Sequence, residues 1–173
     1  MDRPVRGGAR PPAGVKIRPA RPTDIDALIA IENAVFPTDR LDRRALRYAM
    51  RSPTIICLVA AISAGPLGYV TVQRRRGSAV ARLTSIAVAP RAAGRGLGKR
   101  LLAAAEAAAA AAGGALLRLE VRTDNRRARR LYETAGYALI ATVEGYYEDG
   151  TAALRYEARL TRGRSGRRRA TAR

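Results

Sequence analysis

Residues 85–102 read SIAVAPRAAGRGLGKRLL: an alternating apolar run passes through a proline to glycines at 94, 96 and 98, and then into a helix-forming stretch. This segment constrains the fold more tightly than any other. A strand that ends on such a loop and feeds a helix brings bare backbone N–H groups and the positive end of a helix dipole to one point. That point suits an anion such as phosphate, and Arg95, Lys99 and Arg100 add charge to it. The spacing differs from a P-loop, because no Lys-Ser or Lys-Thr pair follows at the Walker interval. It differs from a dinucleotide fingerprint too, because the preceding strand closes a meander and does not open a β-α-β unit. Taken alone, the glycines also fit a turn that merely lets the helix pack.

The surrounding pattern sets the organisation. Residues 15–19 alternate like a strand, and Pro22-Thr23 opens a helix with Thr23 and Asp26 at capping-box spacing. Ile25, Leu28, Ile29, Glu32 and Phe36 follow at intervals of three and four, an apolar stripe carrying one carboxylate, and Pro37 ends it. Residues 41–51 read as a second, basic helix, and residues 55–63, 66–73 and 79–88 as the strands of a meander. A long helix is expected over residues 92–112, stopped by Gly113-Gly114. Then come a strand at 116–121, a helix at 125–134 with Gly136 as C-cap, and strands at 137–143 and 154–160. The order predicts one α/β domain with a mixed sheet over residues 15–160. Residues 1–14 and 161–173, rich in Arg with Gly or Pro, read as disordered basic tails.

The available chemistry is narrow. The 173 residues include no His, which excludes His-based triads and most catalytic zinc sites, so no metal is expected. The lone Cys57, in an apolar run, excludes an intramolecular disulfide and reads as a small core residue. No apolar stretch reaches the roughly 20 residues of a membrane span and no apolar leader is seen, so a cytoplasmic protein without a membrane partner is expected. With 33 basic residues against 14 acidic, the chain carries a formal charge of +19 and attracts polyanions. Carboxylates, Tyr and backbone groups are left to do the chemistry.

Two further segments carry such groups. Glu120 interrupts the apolar strand LLRLEVR, where it is either a functional carboxylate or the partner of Arg118 or Arg122. Tyr132 lies on the short helix leading to Gly136-Tyr137, a position open to packing or to catalysis. Together with residues 86–88, the loop 94–99, Asn125 and the run Tyr146-Tyr147-Glu148-Asp149-Gly150, these segments make residues 15–160 resemble the GNAT family of acetyl-CoA-dependent N-acetyltransferases. Within it the chain is most similar to bacterial ribosomal-protein alanine N-acetyltransferases.

The resemblance implies a mostly antiparallel sheet of about seven strands, splayed between the fourth and fifth and flanked by about four helices. It implies that acetyl-CoA is the co-substrate, its pantetheine along Ile86, Ala87 and Val88 and its pyrophosphate on Gly94, Arg95, Gly96, Leu97, Gly98 and Lys99, with Asn125 in contact. The acceptor amine attacks the thioester directly. Glu120 takes its proton through water, Tyr132 protonates the departing thiolate, and a backbone N–H near Val88 polarises the carbonyl. Phe36, Pro37, Tyr146 and Tyr147 line the acceptor side. Two departures stand out: Ala93 where the family usually has Gln or Arg, and Thr151-Ala152 where close relatives have an acidic pair. The expected acceptor is a protein N-terminus. The alternatives are a small-molecule amine, or a degenerate member binding RNA or the ribosome through its Arg-rich tail.

Overall fold

Residues 55–88 zigzag through three antiparallel strands because branched and small apolar residues fill both faces of a sheet that is covered on both sides. A computed structural model describes residues 12–161; most of the two expected tails lies outside them. The elements are β1 (Lys16–Pro19), α1 (Ile25–Val35), α2 (Arg43–Arg51), β2 (Ile55–Ile62), β3 (Gly65–Arg74), β4 (Val80–Val88), α3 (Leu97–Ala111), β5 (Leu116–Arg122), α4 (Arg126–Thr134), β6 (Ala138–Val143) and β7 (Ala153–Arg159). Their order is the expected one. The strands form one seven-stranded sheet, β1-β2-β3-β4-β5-β7-β6, parallel only between β4 and β5.

That parallel contact is short. Residues 80–83 pair with residues 116–119, and residues 84–88 then run on with no strand beside them. The splay implied by the resemblance is therefore present at the expected seam. One core packs α3 and α4 on the sheet through residues such as Leu101, Leu102, Leu117, Leu119, Tyr132 and Tyr156. A second packs α1 and α2 on the opposite face through Leu28, Ile31, Leu46, Val59 and Tyr69. Ala105 and Ala109, both fully buried, let α3 lie close to the strands. Along β5 the burial alternates, so Leu117, Leu119 and Val121 enter the first core while Arg118, Glu120 and Arg122 face the other way.

Three local expectations need correction. The long helix begins at Leu97, five residues later than its sequence suggests, because Gly94 and Gly96 take left-handed φ values of 75° and 73° that a continuous helix cannot contain. Thr23 does not cap α1; Pro22–Asp24 forms a 3-10 turn, and the Asp24 carboxylate accepts from the Arg21 N–H at 2.8 Å. α2 starts at Arg43, where the Asp42 carboxylate accepts from the Ala45 N–H at 2.7 Å.

Asp24 also anchors β1, since Arg18 donates to both its oxygens at 2.7 and 2.9 Å. This guanidinium holds the Asp24 carboxyl below its ordinary value. The resulting stabilisation is present above about pH 4 and fades as the pH falls through the depressed value. Asp24→Asn should therefore lose about 1–3 kcal/mol at neutral pH, and markedly less near pH 3, measured by chemical denaturation at both.

Candidate active site

The seam exposes backbone. Ala89 N–H donates to the Leu67 carbonyl at 2.8 Å, so Gly68 and Val88 form a non-hydrogen-bonded antiparallel pair. The N–H and C=O of Val88, and of Ile86 two residues earlier, consequently point away from β3 into the gap that β5 has left. Gly68 makes this geometry possible, because a Cβ there would stand 2.7 Å from the Ala87 carbonyl oxygen.

The gap continues into a groove of about 840 Å³. Ile86, Ala87, Val88, Gly94, Gly96, Leu97, Gly98, Lys99 and Asn125 all line it; Arg95 does not. The three glycines have different tasks. Gly94 and Gly96 supply left-handed turns, whereas Gly98 is right-handed and lies under Leu131, 3.5 Å from where a Cβ would sit. Within α3 the first bond from the loop side runs from Arg100 N–H to the Gly96 carbonyl, so the N–H groups of residues 97–99 have no partner in the helix. They are anion donors by position.

The charge around them differs from expectation. Arg100 turns away to the Val15 carbonyl at 3.0 Å, and Arg91 reaches the Pro66 carbonyl at 3.4 Å. Ala93 lines the groove without offering a charge, and the cations sharing its wall with Lys99 are Arg127 and Arg130 of α4. Their spacing of three on one helix was a readable signal. The Asn125 side-chain oxygen Oδ1 caps α4, accepting from Ala128 N–H at 3.0 Å.

On the sheet face away from α3, the β5 and β7 registers set the electrostatics. Arg118 stands opposite Glu157 and Glu120 opposite Arg155, and both pairs close, at 2.6 and 2.8 Å. Glu120 also accepts from Arg82 of β4 at 2.8 Å, and only 6% of its side chain is exposed. The arginines expected beside it, Arg118 and Arg122, are not its partners. Arg122 is held instead by Asp124, Asp149 and the Thr151 hydroxyl. Thr151, one of the two residues at which the chain departs from the resemblance, thus completes a network around Arg122.

Arg82 also donates to the Tyr146 hydroxyl. Tyr146 meets Tyr147 edge to face at 5.0 Å, and the Arg122 guanidinium lies 4.9 Å over the Tyr147 ring. Burial pushes the Tyr147 phenol up to about 12, with Glu120 and Asp39 near enough to contribute. Tyr132 is buried between Tyr137 and Tyr156, at ring separations of 5.8 and 6.2 Å, and burial raises its phenol well above the ordinary range. It does not line the groove, but it is close enough to Tyr147 for their phenols to interact. Glu120, one residue past the last β4–β5 pair, and Tyr146, joined to it through Arg82, therefore stand at the open end of the seam, with Tyr147 against Tyr146. Phe36 lies in the groove wall with Val35 and Ile86, while Pro37 stands outside the groove.

One carboxylate escaped functional notice. Glu32 is buried, accepts from Leu41 N–H at 2.9 Å, and meets the Ser85 hydroxyl at 3.4 Å, which in turn bonds Tyr69 at 2.9 Å. It pins the α1–α2 loop to β4. Burial pushes its carboxyl up. Burial also pushes the Cys57 thiol up to about 11, as suits an inert core residue.

The sequence model of the acetyltransferase (GNAT) family matches residues 25–137. No curated protein matches the sequence significantly. Among solved structures, Ard1 from Thermoplasma volcanium is similar at a TM-score of 0.77 and 24% identity, over 86% of this chain and 99% of that one. The ribosomal-protein-S18-alanine N-acetyltransferase from Escherichia coli is similar at 0.76 and 24% identity, over 89% and 97%. NAA60 from Arabidopsis thaliana, in complex with a bisubstrate analogue, is similar at 0.75 and 17% identity, over 85% and 99%.

Proposed function

Because the chain belongs to the acetyltransferase (GNAT) family, we propose that it moves an acetyl group from acetyl-CoA to the α-amine of a protein N-terminus, in the cytoplasm. The observation that carries this reading is the continuity of the seam with the glycine loop. Unpaired backbone groups at Ile86 and Val88 lead directly to the donors of residues 97–99. Pantetheine has amides of its own and fits beside β4 as a short strand fits an edge. The pyrophosphate fits the α3 N-terminus, and Lys99, Arg127 and Arg130 suit further phosphate.

When bound, the thioester supplies an acyl group open to direct attack by an amine. The Val88 N–H polarises its carbonyl oxygen. Glu120, through water, takes the proton of the incoming ammonium, which leaves nitrogen with a free lone pair. The amine forms the new C–N bond as the C–S bond breaks, and Tyr132 gives its proton to the thiolate. The raised Tyr132 phenol is protonated at neutral pH, as a donor must be. Tyr146, Tyr147 and Pro37, all outside the groove, suit a peptide's first residues, while Phe36 in the groove wall suits the donor. The likeness to the ribosomal-protein-S18-alanine N-acetyltransferase supports a protein acceptor.

The first test is calorimetric titration with acetyl-CoA at rising salt, against an adenosine bisphosphate lacking pantetheine. Affinity well above that control, and retained as salt screens nonspecific attraction, is expected. Acetyl transfer to tetrapeptides is then compared with transfer to free amines; turnover with free amines alone overturns the peptide acceptor. Gly96→Val should raise the acetyl-CoA Kd by about tenfold or more. A branched side chain at φ 73° strains the loop and crowds the phosphate site.

A further inference from the structure

The acceptor side holds more positive charge than the proposed transfer uses. Arg82 gives Nε and Nη2 to one oxygen of Glu120, and Nη2 also to Tyr146; Arg155 gives only its Nε to the other oxygen, at 2.8 Å. Two guanidinium groups thus share one carboxylate. Among the described residues, neither Nη nitrogen of Arg155 nor the Nη1 of Arg82 has an acceptor, and the two side chains stay 32% and 46% exposed. Their neighbours on the same face are spent. Arg118 directs Nε and Nη2 at Glu157, and Arg122 commits all three nitrogens to Asp124, Asp149 and Thr151. Unspent planar donors on either side of a nearly buried carboxylate form a receptor for a second carboxylate.

Building on the proposed transfer to an amine, we infer that Arg82 and Arg155 select acceptors carrying a carboxylate within a few bonds of the reacting nitrogen. In a peptide that means an acidic first residue. Arg155 faces Glu120 across the β5–β7 ladder, so a group held by its Nη nitrogens lies one side chain from where the ammonium gives up its proton. Engaging the acceptor's carboxylate also draws guanidinium charge from Glu120 and opens its oxygens to water. Glu144 and Glu148, exposed on the β6–β7 turn with no ion pair among the described residues, oppose a run of acidic residues. The selection is for one acidic side chain followed by neutral or basic ones.

The test compares tetrapeptides that differ only in starting with aspartate, asparagine or alanine, and adds free alanine and alaninamide. Aspartate-first peptides should exceed asparagine-first ones in kcat/KM by about tenfold or more, chiefly through KM. That ratio should fall toward one in Arg82→Gln and Arg155→Gln and persist in Arg155→Lys, which keeps the charge and serves as the check on folding. Equal use of aspartate- and asparagine-first peptides overturns the inference and leaves transfer to peptides standing. Turnover of alanine, but of no peptide and not of alaninamide, keeps the two arginines as the receptor and overturns the peptide acceptor. Acetylation of no amine at all overturns both.

Discussion

Tyr132→Phe should lower kcat for acetyl transfer by about 100-fold or more while the protein melts where the wild type does. The two readouts separate because the ring and the hydroxyl do different things. The ring is wedged between Tyr137 and Tyr156, and phenylalanine keeps those contacts. The hydroxyl makes no hydrogen bond to any described residue, so its removal leaves no protein group unpaired. What is lost, on the proposed mechanism, is the proton given to the leaving group, without which a thiolate must depart unassisted. Thiol release measured over pH 6–10, together with a thermal melt, checks both halves, the range bracketing the ordinary thiol and phenol values of about 8.5 and 10. A rate within a few-fold of wild type would show that the leaving group needs no acid from Tyr132.

Glu120→Gln should also cost about 100-fold in kcat, and unlike the tyrosine change it should destabilise the fold. Removing this charge leaves Arg82 and Arg155 facing one another across a neutral amide. For a carboxylate only 6% exposed, with partners that still reach water, about 1–3 kcal/mol is expected. Glu157→Gln is the matching control, because Glu157 pairs with Arg118 on the same face, two residues along each strand from the Glu120–Arg155 pair. It should lose comparable stability and keep the rate. Equal rate losses in both variants would reduce Glu120 to an ion-pair anchor.

Much of this was legible in the chain because it is written locally. The period-two and period-three-to-four runs placed every strand and helix within a few residues. Glycines at 94 and 96 marked the loop because left-handed backbone is a property of single positions. The partners of Glu120 were not legible. Arg82 and Arg155 lie 38 and 35 residues away, and only the β4–β5 and β5–β7 registers bring them in, whereas sequence proximity pointed to Arg118 and Arg122. Glu32 was visible as a carboxylate on an apolar stripe, but its bond to Leu41 N–H depends on how the α1–α2 loop folds back. Phe36 and Pro37 were read as acceptor contacts from the family resemblance, and which of the two enters the groove wall depends on where α1 ends.

The shortness of the β4–β5 contact makes the sheet two leaves on one spine. β1 to β4 form one leaf and β5, β7 and β6 the other, joined by the paired residues 80–83 and 116–119 and by the Arg82–Glu120 staple that crosses the spine. A sheet of six continuous ladders resists bending everywhere; this one concentrates its compliance along a single line. Whatever lies between the leaves acts as a missing rung. The enzyme's stiffness is then a property of its loaded state, and the acceptor meets a surface whose final curvature is set by the donor already in place.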